Sequence, residues 1–183
     1  MTTTAYDESD IERRLLQSIV EVARHIFGSA AASIFLIDPI SEELVFEAVA
    51  GEGNEKLVGR RFPAGTGIAG FVAASGQTML MDDLRNSAQF ASDAAKSTDY
   101  MPRSIVAAPL FSGDSCIGVL EVLDRKISDT PEFSEIDTLT ILANQAALAL
   151  ELLTCLGANE RQASRRVVQL LDQARDIMAK LHG

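Results

Sequence analysis

Gly65-Thr-Gly-Ile-Ala-Gly70 is the stretch of this chain that spells a ligand-binding pattern at face value, the G-x-G-x-x-G of dinucleotide sites. That chemistry needs a buried parallel strand before the glycines and a βαβ unit around them. The preceding Val58-Gly-Arg-Arg-Phe62 is too polar for such a strand, and no βαβ unit follows. Context therefore excludes a dinucleotide site. The underlying physics still applies: glycines let a backbone approach a ligand, and a helix N-terminus offers free N–H groups to an anion.

The other chemistry-bearing residues do not assemble into an enzyme. His25 and His182 lie at opposite ends of the chain, and neither has a cysteine or histidine at ligand spacing, which argues against a metal or haem. Cys116 opens a strand-like run and Cys155 falls in a helical one, where a small apolar filler is the ordinary role. No serine sits in a nucleophile elbow. Glu121 is the odd residue in Gly118-Val-Leu-Glu-Val-Leu123. Alternation puts it on one face with Val119 and Leu123, either solvated or lining a cavity, and the pattern slightly favours the solvated side.

The elements that must position these residues are legible from periodicity. Ser9 and Glu12 have capping-box spacing, and Ile11, Leu15, Ile19, Val22 and Ile26 recur at helical spacing before Gly28. Residues 33–38 and 43–50 read as strands joined by a turn at 39–42, with a weaker strand at 57–62. An apolar helix follows to Gly76, then a strand at 77–81. Residues 82–103 are polar and aperiodic, as in a functional loop or lid. Strands at 104–111 and 116–125 are joined by Ser112-Gly-Asp-Ser115. Tight turns between neighbouring strands imply antiparallel pairing, hence an α+β domain with helices packed on one face of the sheet.

The last third carries a seven-residue apolar repeat. One series runs Leu139, Ala146, Leu153, Glu160, Val167, Ala174, Leu181, and its companion Leu142, Ala149, Leu156, Ala163, Leu170, Ile177. Only Glu160 breaks it. A repeat this long predicts a coiled-coil-like helix, continuous through Gly157, that needs a partner.

Composition bounds the rest. With 47% hydrophobic and 23% charged residues the chain can build a core, and a net charge of -10 repels nucleic acid and anionic membranes. Residues 157–183 run against that balance, with five basic residues to three acidic. Two cysteines make no disulfide framework, so a cytoplasmic setting is expected. No apolar run approaches the ~18 residues of a membrane span.

Taken in order, Gly67-Ile-Ala-Gly70-Phe-Val-Ala-Ala-Ser-Gly76, Asp82-Asp-Leu-Arg85, Phe90, Arg103-Ser-Ile-Val-Ala-Ala-Pro-Leu110 and Ile117-Gly-Val-Leu-Glu-Val-Leu123 resemble a GAF domain. The resemblance covers about residues 10–156, between a tail at 1–9 and a helical extension at 157–183. It implies a PAS-like antiparallel sheet, a ligand pocket on one face roofed by residues 85–103, and terminal helices on the other. It also implies homodimerisation through the N- and C-terminal helices, with the last helix passing a signal to an output protein such as a kinase, cyclase or phosphodiesterase.

Pocket positions of cyclic-nucleotide-binding members correspond to Ser33, Ile68, Ala69, Thr98 and Glu121, which match. Ala50 and Pro102 depart, where those members have an aspartate and a threonine, and this counts against a cyclic nucleotide. Phe90 and Tyr100 join the candidate pocket set. No metal, haem or bilin is expected, and the reductases built on this fold need loop cysteines that are missing here. The expected function is a non-catalytic small-molecule sensor. The rival is a dimerisation scaffold whose pocket is plugged by Phe71, Phe90 or Tyr100.

Overall fold

The computed structural model describes residues 8–51, 56–84, 100, 102–126 and 134–181, with side chains described from residue 10 to residue 158 within those ranges. The elements are α1 (Glu8–Ile26), β1 (Ala31–Ile37), β2 (Leu44–Gly51), β3 (Arg61–Phe62), α2 (Gly67–Ser75), β4 (Met79–Met81), β5 (Ile105–Ser112), β6 (Ser115–Leu123) and α3 (Glu135–Leu181). The strands form one antiparallel sheet in the order β3-β2-β1-β6-β5-β4. Its tight hairpins follow from the turn residues read above; the Asp38 carboxylate accepts the Ile40 and Ser41 N–H groups in the first of them.

Two bulges set the sheet's curvature. Ile34 pairs with Ala48 and Phe35 with Phe46, which leaves Glu47 without a counterpart; Leu110 pairs with Gly118 and Phe111 with Cys116, which leaves Ile117 out. Between them the central strands are buried on both faces. On one face Phe35, Phe46, Val49, Ile105, Ala107 and Val119 pack with Ile68, Ala69 and Val72 of α2. On the other, Ala32, Ile34, Ala48, Val106, Leu120 and Val122 are at 1% exposure or less. There α1 packs on β1 and β2.

The face that α1 presents is not the one its periodicity suggests. Leu16, Val20, Ala23 and Phe27 are buried, whereas Ile11, Val22 and Ile26 of the expected stripe are exposed, Ile26 at 53%. Both sets recur at helical spacing, and the small Ala23 brings the second stripe close to the sheet. The helix also begins at Glu8, so Ser9 lies inside it and is not its cap.

In α3 the helix is continuous through Gly157. Its first heptads nevertheless serve the core. Leu139, Ala143, Ala146 and Ala147 are buried, following the 3.6-residue drift of a straight helix, so Leu139 and Ala146 are unavailable to a partner helix. Among the described residues of α3 the exposed large apolar side chains are Ile136, Ile141, Leu148, Leu152 and Leu156. Residues 1–148 form one compact unit and 149–183 a second. Contrary to the run-length expectation, Glu135–Ala158 is long and apolar enough to cross a membrane by composition, with a mean hydropathy of 1.6. Two apolar faces on one helix, one buried and one exposed, account for that value.

The swapped stripe of α1 is checked by paired truncations measured by urea unfolding at low protein concentration. Leu16→Ala should cost about 2–5 kcal/mol, and Ile26→Ala no more than about 0.5 kcal/mol. Equal losses would contradict the assignment.

Candidate functional site

The glycine-rich turn builds the entrance to α2. Gly65 and Gly67 have φ of +78° and +64°, and a Cβ on Gly70 would lie 2.3–2.8 Å from the backbone of Gly65. The motif thus folds its loop tightly onto the first helical turn, which is a structural reason for the spacing. Thr66 caps α2 through no side-chain hydrogen bond, while Ile68 and Ala69 in the first turn are buried. The early N–H groups of this helix, an electropositive end, face no side-chain cap.

Glu121 corrects the solvated reading. It is 6% exposed, on β6, in register with Ser33 of β1 on one side and Ala107 of β5 on the other. Ser33 is itself buried at 4%. The residues at alternate positions on this face are apolar: Phe35 on β1, Ile105 on β5, Val119 on β6, with α2 packed on β5 and β6. Desolvation pushes the Glu121 carboxyl up to about 8, only partly offset by its hydrogen bond from Ser33. At neutral pH this is mostly a protonated acid. Phe35, Phe46 and Phe62 close the β3 end of the face as a ring cluster with centroids 4.0–6.5 Å apart.

Of the sequence-derived site residues, Ser33, Ile68, Ala69 and Glu121 therefore belong to one side of the sheet. Phe90 and Thr98 lie outside the described residues. The Tyr100 hydroxyl donates to the Asp124 carboxylate at the end of β6. Phe71 is 43% exposed.

Two neighbouring residues carry organisation that the spacing did not reveal. Asp124 sits at φ +50° and accepts the N–H groups of Arg103 (2.6 Å) and Ser104 (3.1 Å) as well as the Tyr100 hydroxyl. Burial alone would raise its pKa; the Tyr100, Ser104 and Arg103 hydrogen bonds outweigh it and hold the carboxyl below its usual range. Beside it the Leu84 N–H donates to the Arg103 carbonyl at 2.9 Å, so the two ends of the 85–102 segment meet.

The Arg125 guanidinium, 3% exposed, donates Nε–H to Glu135 and Nη2–H to Asp82, each at 2.7 Å. Asp137 lies two residues further along the helix and is exposed. The bridge ties β6, the end of β4 and the first turn of α3 together. A hydroxyl contact, Thr78 to Thr140 at 2.8 Å, adds a second tie. Among the described residues no group of three or more His, Cys, Asp or Glu could hold a metal. Cys116 is half-buried, which pushes its thiol pKa up, away from nucleophile behaviour.

Two outcomes follow. A carboxyl whose pKa is about 8 folded and 4.5 unfolded favours folding at low pH, and that advantage is lost as pH rises through this window. Glu121→Gln lacks this loss, so its stability relative to wild type should grow from pH 5 to pH 8 by an amount on the order of a few kcal/mol. Thermal melts across that range read it; a constant difference would refute the buried-acid assignment. Arg125→Lys should not rescue what Arg125→Ala loses, about 3–5 kcal/mol for a broken buried pair. A single ammonium cannot reproduce the two-pronged guanidinium; equilibrium unfolding of both variants checks this.

Comparison with known proteins agrees with this architecture. A 115-residue stretch is 33% identical to the cone cGMP-specific 3',5'-cyclic phosphodiesterase subunit alpha' of Mus musculus; it spans 63% of this chain and 12% of that protein, so the likeness is to a small part of a much longer one. The GAF domain of a phosphoenolpyruvate-protein phosphotransferase from Coxiella burnetii superposes with a TM-score of 0.68 at 20% identity, over 80% of this chain and 86% of that one. The free methionine-R-sulfoxide reductase of Neisseria meningitidis, solved with its substrate, superposes with a TM-score of 0.61 at 24% identity, over 85% and 98%. At these identities the two structures show the fold alone. The family model of the GAF domain matches residues 12–150, and with the sheet order, the α2 face and the terminal helices in place, the chain belongs to the GAF domain family, a family of regulatory and sensory ligand-binding domains.

Proposed function

We propose that this chain is a non-catalytic sensor. In this reading residues 10–156 hold a small molecule against the α2 face of the sheet, beneath the 85–103 segment, and residues 157–183 extend the signalling helix. The observation that carries the reading is the buried polar pair Ser33 and Glu121 within an otherwise apolar sheet face. Burying a carboxyl and a hydroxyl there costs free energy that an apolar pair would not. A guest that uses them explains their presence. The uncapped first turn of α2, near the same face, offers further N–H donors.

Signal output is assigned to α3. Two copies pair through the exposed apolar sets on α1 (Ile11, Val22, Ile26) and α3 (Ile141, Leu148, Leu152, Leu156), and through the heptads beyond residue 159. The guest then biases this pair between two packings, in proportion to its differential affinity for them. The output is a kinase, cyclase or phosphodiesterase, and two free cysteines suit the cytoplasm.

Calorimetry against a panel of nucleotides and metabolites, cGMP and cAMP included, should give at least one saturable 1:1 isotherm per chain. Silence across a broad panel would refute the sensor. Light scattering behind a sizing column should report a dimer that Leu152→Glu converts to monomer; an unaltered mass would remove α3 from the interface.

A further inference from the structure

Within the proposed sensor site, Glu121 lacks what buried carboxylates ordinarily have. Asp124 gathers a hydroxyl and two N–H groups, and the Arg125 guanidinium serves Asp82 and Glu135. Among the described residues Glu121 has Ser33 as its one partner, and no charged group acts on it. The elements packed around it explain why. β1 (Ala31–Ile37), β4 (Met79–Met81), β5 (Ile105–Ser112) and α2 (Gly67–Ser75) contain no ionisable side chain, and β6 adds only Cys116, five residues away along the strand. Asp124 and Tyr100 pair with each other beyond the strand's end, and Arg61 on β3 is held by Asp38 and Glu43. Arg85, Asp93, Lys96 and Asp99 lie outside the described residues.

The space around the carboxyl is equally specific. Its cross-strand neighbours are the small Ser33 and Ala107, while the next positions along the face carry the bulkier Phe35, Val119, Ile105 and Leu123. α2 contributes Ala69 and Ala73 to the same cluster. Small residues flank the acid on both neighbouring strands. Among the described residues, a cationic group brought to this face meets one carboxyl and no competing protein cation.

We propose that the guest presents a cationic nitrogen group to Glu121, and that its arrival expels the carboxyl proton to solvent. The step balances: a protonated acid and a cation become an ion pair, with one proton passed to buffer. Binding is therefore linked to pH and tightens as pH rises towards 8. The acidic chain, at -10, adds long-range attraction for such a cation.

The test uses the full chain, with benzamidine as the cationic probe and benzamide as its neutral isostere. Carbon-13 NMR of carboxyl-labelled glutamate, with Glu121→Gln to identify the resonance, should place the Glu121 midpoint well above the other glutamates. Benzamidine should lower that midpoint, and calorimetry in buffers of differing ionisation enthalpy should show close to one proton released per probe bound at pH 7. Glu121→Gln should weaken benzamidine at least tenfold and leave benzamide unchanged. Binding without proton release, equal binding by Glu121→Gln, or an ordinary midpoint for Glu121 would each overturn the cation-recognition proposal. If neither probe binds while a metabolite from the panel does, the proposal fails and the sensor reading stands. If nothing binds at all, both fall.

Discussion

The central strands of this protein have no solvated side. An antiparallel sheet commonly packs one face and wets the other, which produces alternation of apolar and polar residues. Here β1, β5 and β6 are buried on both faces; α1 packs on β1 and β6 on one side, and α2 with its apolar cluster packs on β5 and β6 on the other. Any polar side chain in those strands must be satisfied inside the protein or by something brought to it. That constraint turns Ser33 and Glu121 from two unremarkable residues into the most informative pair in the chain. A carboxyl with a single hydroxyl partner in an apolar face is held neutral by its surroundings, which makes it responsive to any group that can stabilise its charge.

The same strand carries the rest of the organisation. Within five residues of sequence β6 and its exit supply the buried acid at 121, the loop anchor at Asp124 and the helix anchor at Arg125. Asp124 gathers the stem of the 85–103 segment, and Arg125 joins Asp82 and Glu135, where α3 begins. The same strand's end thus fixes Arg103 and Ser104 on one side and the first turn of α3 on the other. Backbone pairing makes β6 stiff between two neighbours, so a displacement at Glu121 has short routes to both anchors. Coupling itself would require a two-state element biased from both ends.

The helices show a second economy, in which one element serves two partners. α1 and α3 each bear a buried apolar stripe and a separate exposed one. The buried stripe of α3 is rich in alanine (Ala143, Ala146, Ala147), whereas that of α1 has Ala23 alone among Leu16, Val20 and Phe27, and α1 faces a sheet lined by Ala32, Ala48 and Ala50. The exposed stripes carry isoleucine, leucine and valine, the larger residues a second apolar surface would accept.

Local pattern was enough to read the strands, the turns, the α2 segment and the unbroken final helix, because hairpin turn chemistry and apolar periodicity act over a few residues. The residues that the family resemblance points to, Ser33, Ile68, Ala69 and Glu121, are buried on one side of the sheet. What the chain alone left open were choices between faces. Both stripes of α1 have helical spacing, and only the sheet beneath decides which is buried; the alternation around Glu121 is the same whether that face meets water or α2. Arg125 has Glu135 and Asp137 at nearly equal separations, and the turn of α3 selects the former while the β4–β6 geometry adds Asp82, 43 residues away. Periodicity fixes which residues share a side, since that follows from backbone geometry within one element. Which side is inside depends on contacts between elements far apart in sequence, and those exist only once the fold has formed.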